Sequence, residues 1–130
     1  MYFQLLKLTY KPEYLKLSIA QLIEGEPDGY IGRPLTVSPK SKKYTIVFNG
    51  VGNFRSIPEP CWRYEGKENK ITGFLSECFE SEYSQNLCPC GTGSGSNRHF
   101  YVLTESVVIE VIAEYEPEIM VLDPFNPNFR

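Results

Sequence analysis

The chain has 130 residues, a formal net charge of −3, and 42% hydrophobic and 14% aromatic residues. That length suits one domain with a substantial core, and so many aromatics favour strands. Without clustered Lys or Arg, nucleic acid is not an expected partner; without an apolar run near the roughly 20 residues of a spanning helix, neither is a membrane.

Residues 2–9 are rich in apolar side chains and read as a strand. Residues 14–19 alternate, with Leu15, Leu17 and Ile19 on one face and Tyr14, Lys16 and Ser18 on the other. That is the period of a half-buried strand. A short helix with Pro12 in its first turn and Gly25 after its end is the alternative. Residues 24–41, punctuated by Pro and Gly, predict a long surface loop. It closes on Lys40-Ser41-Lys42-Lys43, a solvated turn.

Residues 43–49 are β-branched and aromatic, a strand signal. Asn49-Gly50 then predicts a tight turn, with a separate short strand at 52–57 broken by Pro58-Glu59-Pro60. Residues 64–70 read as a loop or hairpin tip, 71–79 as a strand and 80–98 as a polar loop. Residues 99–104 and 107–113 predict a hairpin across Glu105-Ser106. Glu116-Pro117 ends it, 119–122 predict a last short strand, and the tail 123–130 is irregular. No repeat and no long helical period appear. The expected fold is mainly β over residues 1–130, an antiparallel sandwich or partly open barrel of about six to eight strands.

Ligand-type side chains gather between Asn86 and His99, where Cys88 and Cys90 precede a Gly/Ser run and the chain's one histidine. Zinc takes about four thiolate or imidazole ligands in a tetrahedron. Cys88, Cys90 and His99 supply three, and Cys78 from the preceding strand can supply a fourth. Cys88-Pro89-Cys90-Gly91-Thr92-Gly93 resembles the zinc-binding tail of the bacterial preprotein-translocase ATPase. That tail reads Cys-Pro-Cys-Gly-Ser-Gly, a basic stretch, then Cys-Cys or Cys-His. The resemblance implies zinc at Cys88, Cys90 and His99, with His99 in the third ligand position. Phe100 stands where the fourth ligand would be, and residues 94–97 replace the basic stretch. The competing reading is a flexible loop that carries thiols by chance.

The Cys88/Cys90 pair lacks the C-x-x-C spacing of a redox motif, and a disulfide between the two would be strained. A cysteine nucleophile requires Cys61 or Cys78 to meet His99 in space. The Gly/Ser run lacks the Lys-Ser/Thr and helix of a phosphate cradle. The N-terminal sequence lacks the basic and apolar regions of a signal peptide, so the expectation is a cytoplasmic protein with reduced thiols.

Glu110 sits in Val107-Val-Ile-Glu-Val-Ile112, sharing a face with Val108 and Ile112. A lone charge there is costly unless paired. It reads either as an active-site acid with a raised pKa or as an acid salt-bridged or solvated on the outer face of an antiparallel sheet. The second reading is preferred. Glu77, Glu80 and Glu82 read as a solvated acidic stretch rather than a calcium loop. Cys61-Trp62-Arg63-Tyr64, with Arg55 and Arg63 at its flanks, carries the residue types of binding hot spots. Alternatively, Trp62 plugs the open end of the sheet.

These residues predict a non-catalytic protein-interaction module without a cofactor. Its contact residues are Trp62, Arg63, Tyr64 and Arg55, and an immunity- or antitoxin-like protein is one form of it. The alternatives are a zinc- or thiol-dependent protein built on Cys78, Cys88, Cys90 and His99, and a barrel that binds a small molecule. Weakly charged sheet edges would also permit a homodimer.

Overall fold

The computed structural model describes residues 2–24, 35–62, 67–79 and 98–122. Strands β1 (Phe3–Lys11) and β2 (Glu13–Gln21) form a hairpin. Its turn joins Pro12, whose ring fixes one φ, to Glu13 at φ 65°, the left-handed value that a type II turn demands at that position. The helical alternative for 14–19 is thereby excluded. Leu15, Leu17 and Ile19 all point into the core, as a period of two requires.

Two-residue strands β3 (Ile23–Glu24) and β4 (Leu35–Thr36) pair with each other; the rest of the expected loop, 25–34, lies outside the described residues. Strand β5 runs unbroken for 16 residues, Lys43–Pro58. The expected turn at Asn49-Gly50 is not there, nor is a separate strand after it. Gly50 takes φ 67°, but within a β-bulge rather than a hairpin. β2 pairs past it, with Tyr14 opposite Asn49 and Glu13 opposite Val51. A second register shift lies between Val51 and Asn53. Each bulge exchanges the two faces of the strand, so Phe48, Val51 and Phe54 all turn toward the same core.

A short 3-10 turn (Glu59–Cys61) ends this strand. Strands β6 (Lys67–Lys70) and β7 (Leu75–Phe79) then form a hairpin. The tip, expected at 64–70, lies instead at residues 71–74, where the Thr72 hydroxyl accepts the backbone N–H groups of Phe74 and Leu75. Strands β8 (Arg98–Leu103) and β9 (Val107–Ala113) form the predicted hairpin. The last strand, β10, is Glu118–Leu122.

The main sheet runs β1-β2-β5-β9-β8-β7-β6, with β10 paired to β5 off this path. All pairs are antiparallel. This is the mainly β, open architecture expected. The first half of β5 carries β2 and β10, and the second half carries β9. The sheet folds over at the bend, so Leu17 and Phe48 from one half share a core with Phe100 and Val111 from the other. Phe48 meets Phe100 at 5.8 Å between ring centres, and Phe74 meets Phe3 and Tyr44 at 5.1 and 4.9 Å. The Glu105 N–H at the β8–β9 turn donates to the Phe3 carbonyl, which closes one end.

The bend gives a direct test. A Cβ on Gly50 would lie 3.0 Å from the Tyr115 ring at a left-handed φ. Gly50→Ala is expected to cost about 2 kcal/mol in urea unfolding. Gly52→Ala, with nothing within 4 Å of its Cβ, should change stability by less than about 0.5 kcal/mol.

Candidate functional site

Side chains that alternate with the core residues of β5, β9, β8 and β7 lie on the outer face of the sheet. Register aligns Arg55, Glu110 and Tyr101 in one cross-strand row, and Ile112, His99 and Cys78 in the next. This face is not wetted as the preferred reading of Glu110 allowed. Glu110 and His99 are each 2% exposed, and Tyr101 and Cys78 are also buried.

Glu110 is the hub. Arg55 Nε donates to its Oε2 at 2.5 Å, and the Nε2 of His99 lies 3.2 Å from its Oε1. The Trp62 indole N–H points at the same Oε1 from 3.4 Å. Burial alone would push the Glu110 carboxyl up, but hydrogen bonds from His99 and Arg55 outweigh it and hold the group below the usual carboxylate range. The raised pKa that the active-site reading supposed is therefore not what this environment gives. The salt-bridged reading stands, with burial replacing solvation.

Trp62 is half-buried, its ring 4.7 Å from that of Tyr101. It packs on the face of the sheet rather than plugging an open end. The Tyr101 hydroxyl donates to Glu68, and its pKa is raised by burial first and by that hydrogen bond second.

Residues predicted for two different functions therefore converge on one carboxylate: Arg55 and Trp62 from the binding patch, His99 from the zinc set. Cys78 stands directly opposite His99 across β7 and β8. Arg63, Tyr64, Cys88 and Cys90 lie outside the described residues, as do Glu80 and Glu82. Glu77 is held by a two-pronged bond from Arg98, at 2.9 and 2.8 Å. That bond, together with the charge of Glu77, raises the Arg98 pKa against the opposing effect of burial. Cys61 is exposed and Cys78 buried, and both are thiols rather than half-cystines. Among the described residues, no three His, Cys, Asp or Glu side chains group as a metal site. A surface pocket of about 280 Å³ lies where β1 meets the β8–β9 turn, lined by Tyr2, Phe3, Glu59, Leu103, Thr104 and Glu105 among others.

The sheet edges differ in how they are protected. β1 carries a bulge between Leu5 and Lys7, with Lys7 and Lys11 along it. β6 is four exposed residues, three of them charged. Those are ordinary defences against strand addition. β10 has neither a bulge nor a lysine. Its Met120, Val121 and Leu122 are 50%, 54% and 54% exposed, and β5 is its one strand neighbour among the described residues. The sequence marked 119–122 as a strand; that no described strand pairs its outer side follows from topology, which no local pattern reveals.

No protein-family model, curated protein or solved structure matches the chain. Among the described residues, no helix is long and apolar enough to cross a membrane.

The Glu110 hub yields a stability prediction. Glu110→Gln keeps the shape but removes the charge that Arg55 and His99 face, and should cost on the order of 2 kcal/mol. Because the carboxyl pKa is lowered on folding, its contribution is present in full above the unfolded value and is lost as pH falls through the folded value. Urea unfolding at a series of pH values from 7 down to about 3 should therefore show the gap between wild type and Glu110→Gln narrowing in the acid range.

Proposed function

We propose that this protein is a non-catalytic protein-interaction module whose partner adds an extended strand along β10. The observation that carries the reading is the contrast between edges: two are defended by lysines, and β10 presents three consecutive large apolar side chains on an edge that no described strand pairs. Strand addition draws affinity from main-chain hydrogen bonds and specificity from alternate side chains. The polar cluster supports the reading from the other side. Glu110 and His99 are buried and adjacent, and Arg55 and Trp62 engage Glu110 from the rim, so we read the buried pair as scaffold. A cytoplasmic setting, in which Cys61 and Cys78 stay reduced, belongs to the same proposal.

The test is selection of binders from a random peptide display library, followed by hydrogen exchange on the complexes. Binders that slow amide exchange in β10, and that are lost in the Met120→Lys/Leu122→Lys variant, support the reading. That variant should keep its stability within about 0.5 kcal/mol, because both side chains are half-exposed. Binders that protect another surface, or none at all, overturn it.

One observation favours the zinc or thiol reading as a second choice. Two of its four residues, Cys78 and His99, are direct cross-strand neighbours, and Glu110 beside Nε2 orients the ring as a carboxylate orients a ligating histidine. Elemental analysis of tag-free protein decides it. About one zinc per chain, with thiols reactive only after chelation, would install this reading. Metal-free protein with reactive thiols would remove it.

A further inference from the structure

The pocket between the start of β1 and the β8–β9 turn is framed by backbone hydrogen bonds. The Glu105 N–H donates to the Phe3 carbonyl at 2.6 Å and the Leu22 N–H to the Tyr2 carbonyl at 2.8 Å. The Glu59 N–H donates to Ser106 at 3.1 Å, and the Leu103 N–H to Phe74 at 2.8 Å. These bonds tie together the first residues of β1, the 3-10 turn after β5, the β6–β7 turn and the β8–β9 turn. The buried Thr104 hydroxyl donates to the Val107 carbonyl and so fixes the last of these turns. The walls are set before a ligand arrives, which spares it the cost of ordering them.

Buried Phe3 and Thr104 form the floor, while exposed Tyr2, Glu59 and Glu105 stand at the rim. Phe3 is held edge-on by the Phe74 ring at 5.1 Å. The lining contains two carboxylates and no Lys, Arg or His. Neither carboxylate makes an ion pair with a described residue. Gly73 adds no side chain to the wall, and a Cβ there would meet nothing within 4 Å.

A site of about 280 Å³ lies at the small end of ligand pockets. Two carboxylates in a concave wall repel anions and concentrate cations. A calcium ion takes roughly six to eight oxygen ligands, and among the described residues no three acidic, His or Cys side chains group. The charge therefore has to arrive on an organic body. Phe3 and Leu103 offer that body an apolar bed, and the Tyr2 ring offers a face to the cation.

We propose that this pocket binds a small organic cation, an ammonium or guanidinium group on a short apolar or aromatic body, with Glu59 and Glu105 as its charge partners. No lining residue belongs to β10, so the proposal goes beyond the docking edge and stands or falls separately from it.

Three probes of one shape test it on the full chain: 2-phenylethylammonium, neutral 2-phenylethanol and anionic phenylacetate. Amide chemical shifts are followed by NMR during titration at low salt. The ammonium should shift Phe3, Gly73, Leu103 and Glu105 saturably, with a dissociation constant on the order of a millimolar. The alcohol should bind about tenfold more weakly, and the gap should shrink as salt screens the carboxylates. Glu59→Gln and Glu105→Gln should each weaken ammonium binding about threefold, and together about tenfold. Neither should change binding of the alcohol, a selectivity that a merely structural role would not produce. Both positions are exposed, and thermal melting confirms that each variant folds.

Shifts that map to another surface or fail to saturate overturn the proposal. So does phenylacetate or the alcohol binding as tightly as the ammonium, or a double variant that binds the ammonium as wild type does.

Discussion

The fold depends on one bent strand. β5 is long enough to belong to two half-sheets, and the bulges around Gly50 and Asn53 let it serve both. Each bulge alone would invert the burial of everything beyond it, since side chains alternate strictly between faces. Two in close succession restore the phase while adding twist and bend. The same device places β9 and β10 one after the other along a single edge of β5, joined across the bend where the Glu114 N–H donates to the Gly50 carbonyl. β8 covers the outer side of β9. No described strand covers that of β10. The bend thus sets β10 beside β9 on one side of β5 without a described strand beyond it.

The buried carboxylate on the outer face is tied to the same architecture. Glu110 sits in the row that β9 shares with the second half of β5, so Arg55 reaches it because the bulges have set that register. Removing a charge from water is costly, and a buried ion cluster is weak evidence of stability by itself. Its geometric demand is firmer. Arg55, His99 and Trp62 come from three separate segments and meet Glu110 together when β5, β8 and β9 are in register. A slip of one residue would carry Glu110 to the apolar face without a partner, which penalises alternative pairings.

Much of the strand content was legible in the sequence where one periodicity dominated. The alternation Leu15, Leu17, Ile19 marked β2, and the two apolar runs around Glu105-Ser106 marked the β8–β9 hairpin. The Asn49-Gly50 signal misled because a left-handed glycine serves a hairpin turn and a bulge equally well. The choice was made by β2 pairing through the site, a contact distant in sequence. The charged run at 67–70 suggested a loop because its composition belongs to a defended edge strand. For the candidate site, Glu110 stood out at once as a charge among Val and Ile. Its partners did not, because Arg55 and Trp62 lie 55 and 48 positions from Glu110 and His99 comes from another strand, and register alone joins them. Cys78 and His99 were grouped by chemistry, and their adjacency across β7 and β8 is likewise a matter of register.

Two surfaces of this molecule contrast in how they treat unsatisfied groups. On the outer face of β9, a carboxylate and an imidazole are brought out of water side by side, and an exposed guanidinium covers the carboxylate from the rim. Along β10 the reverse holds. No described strand pairs its outer side, and three apolar side chains are about half exposed there, although a single edge lysine would have discouraged pairing, as Lys7 and Lys70 do elsewhere in the same sheet. Lysines stand close by at positions 42 and 43, beside the last residue of the strand rather than along it, so the middle of this edge carries none of the charge that guards β1 and β6.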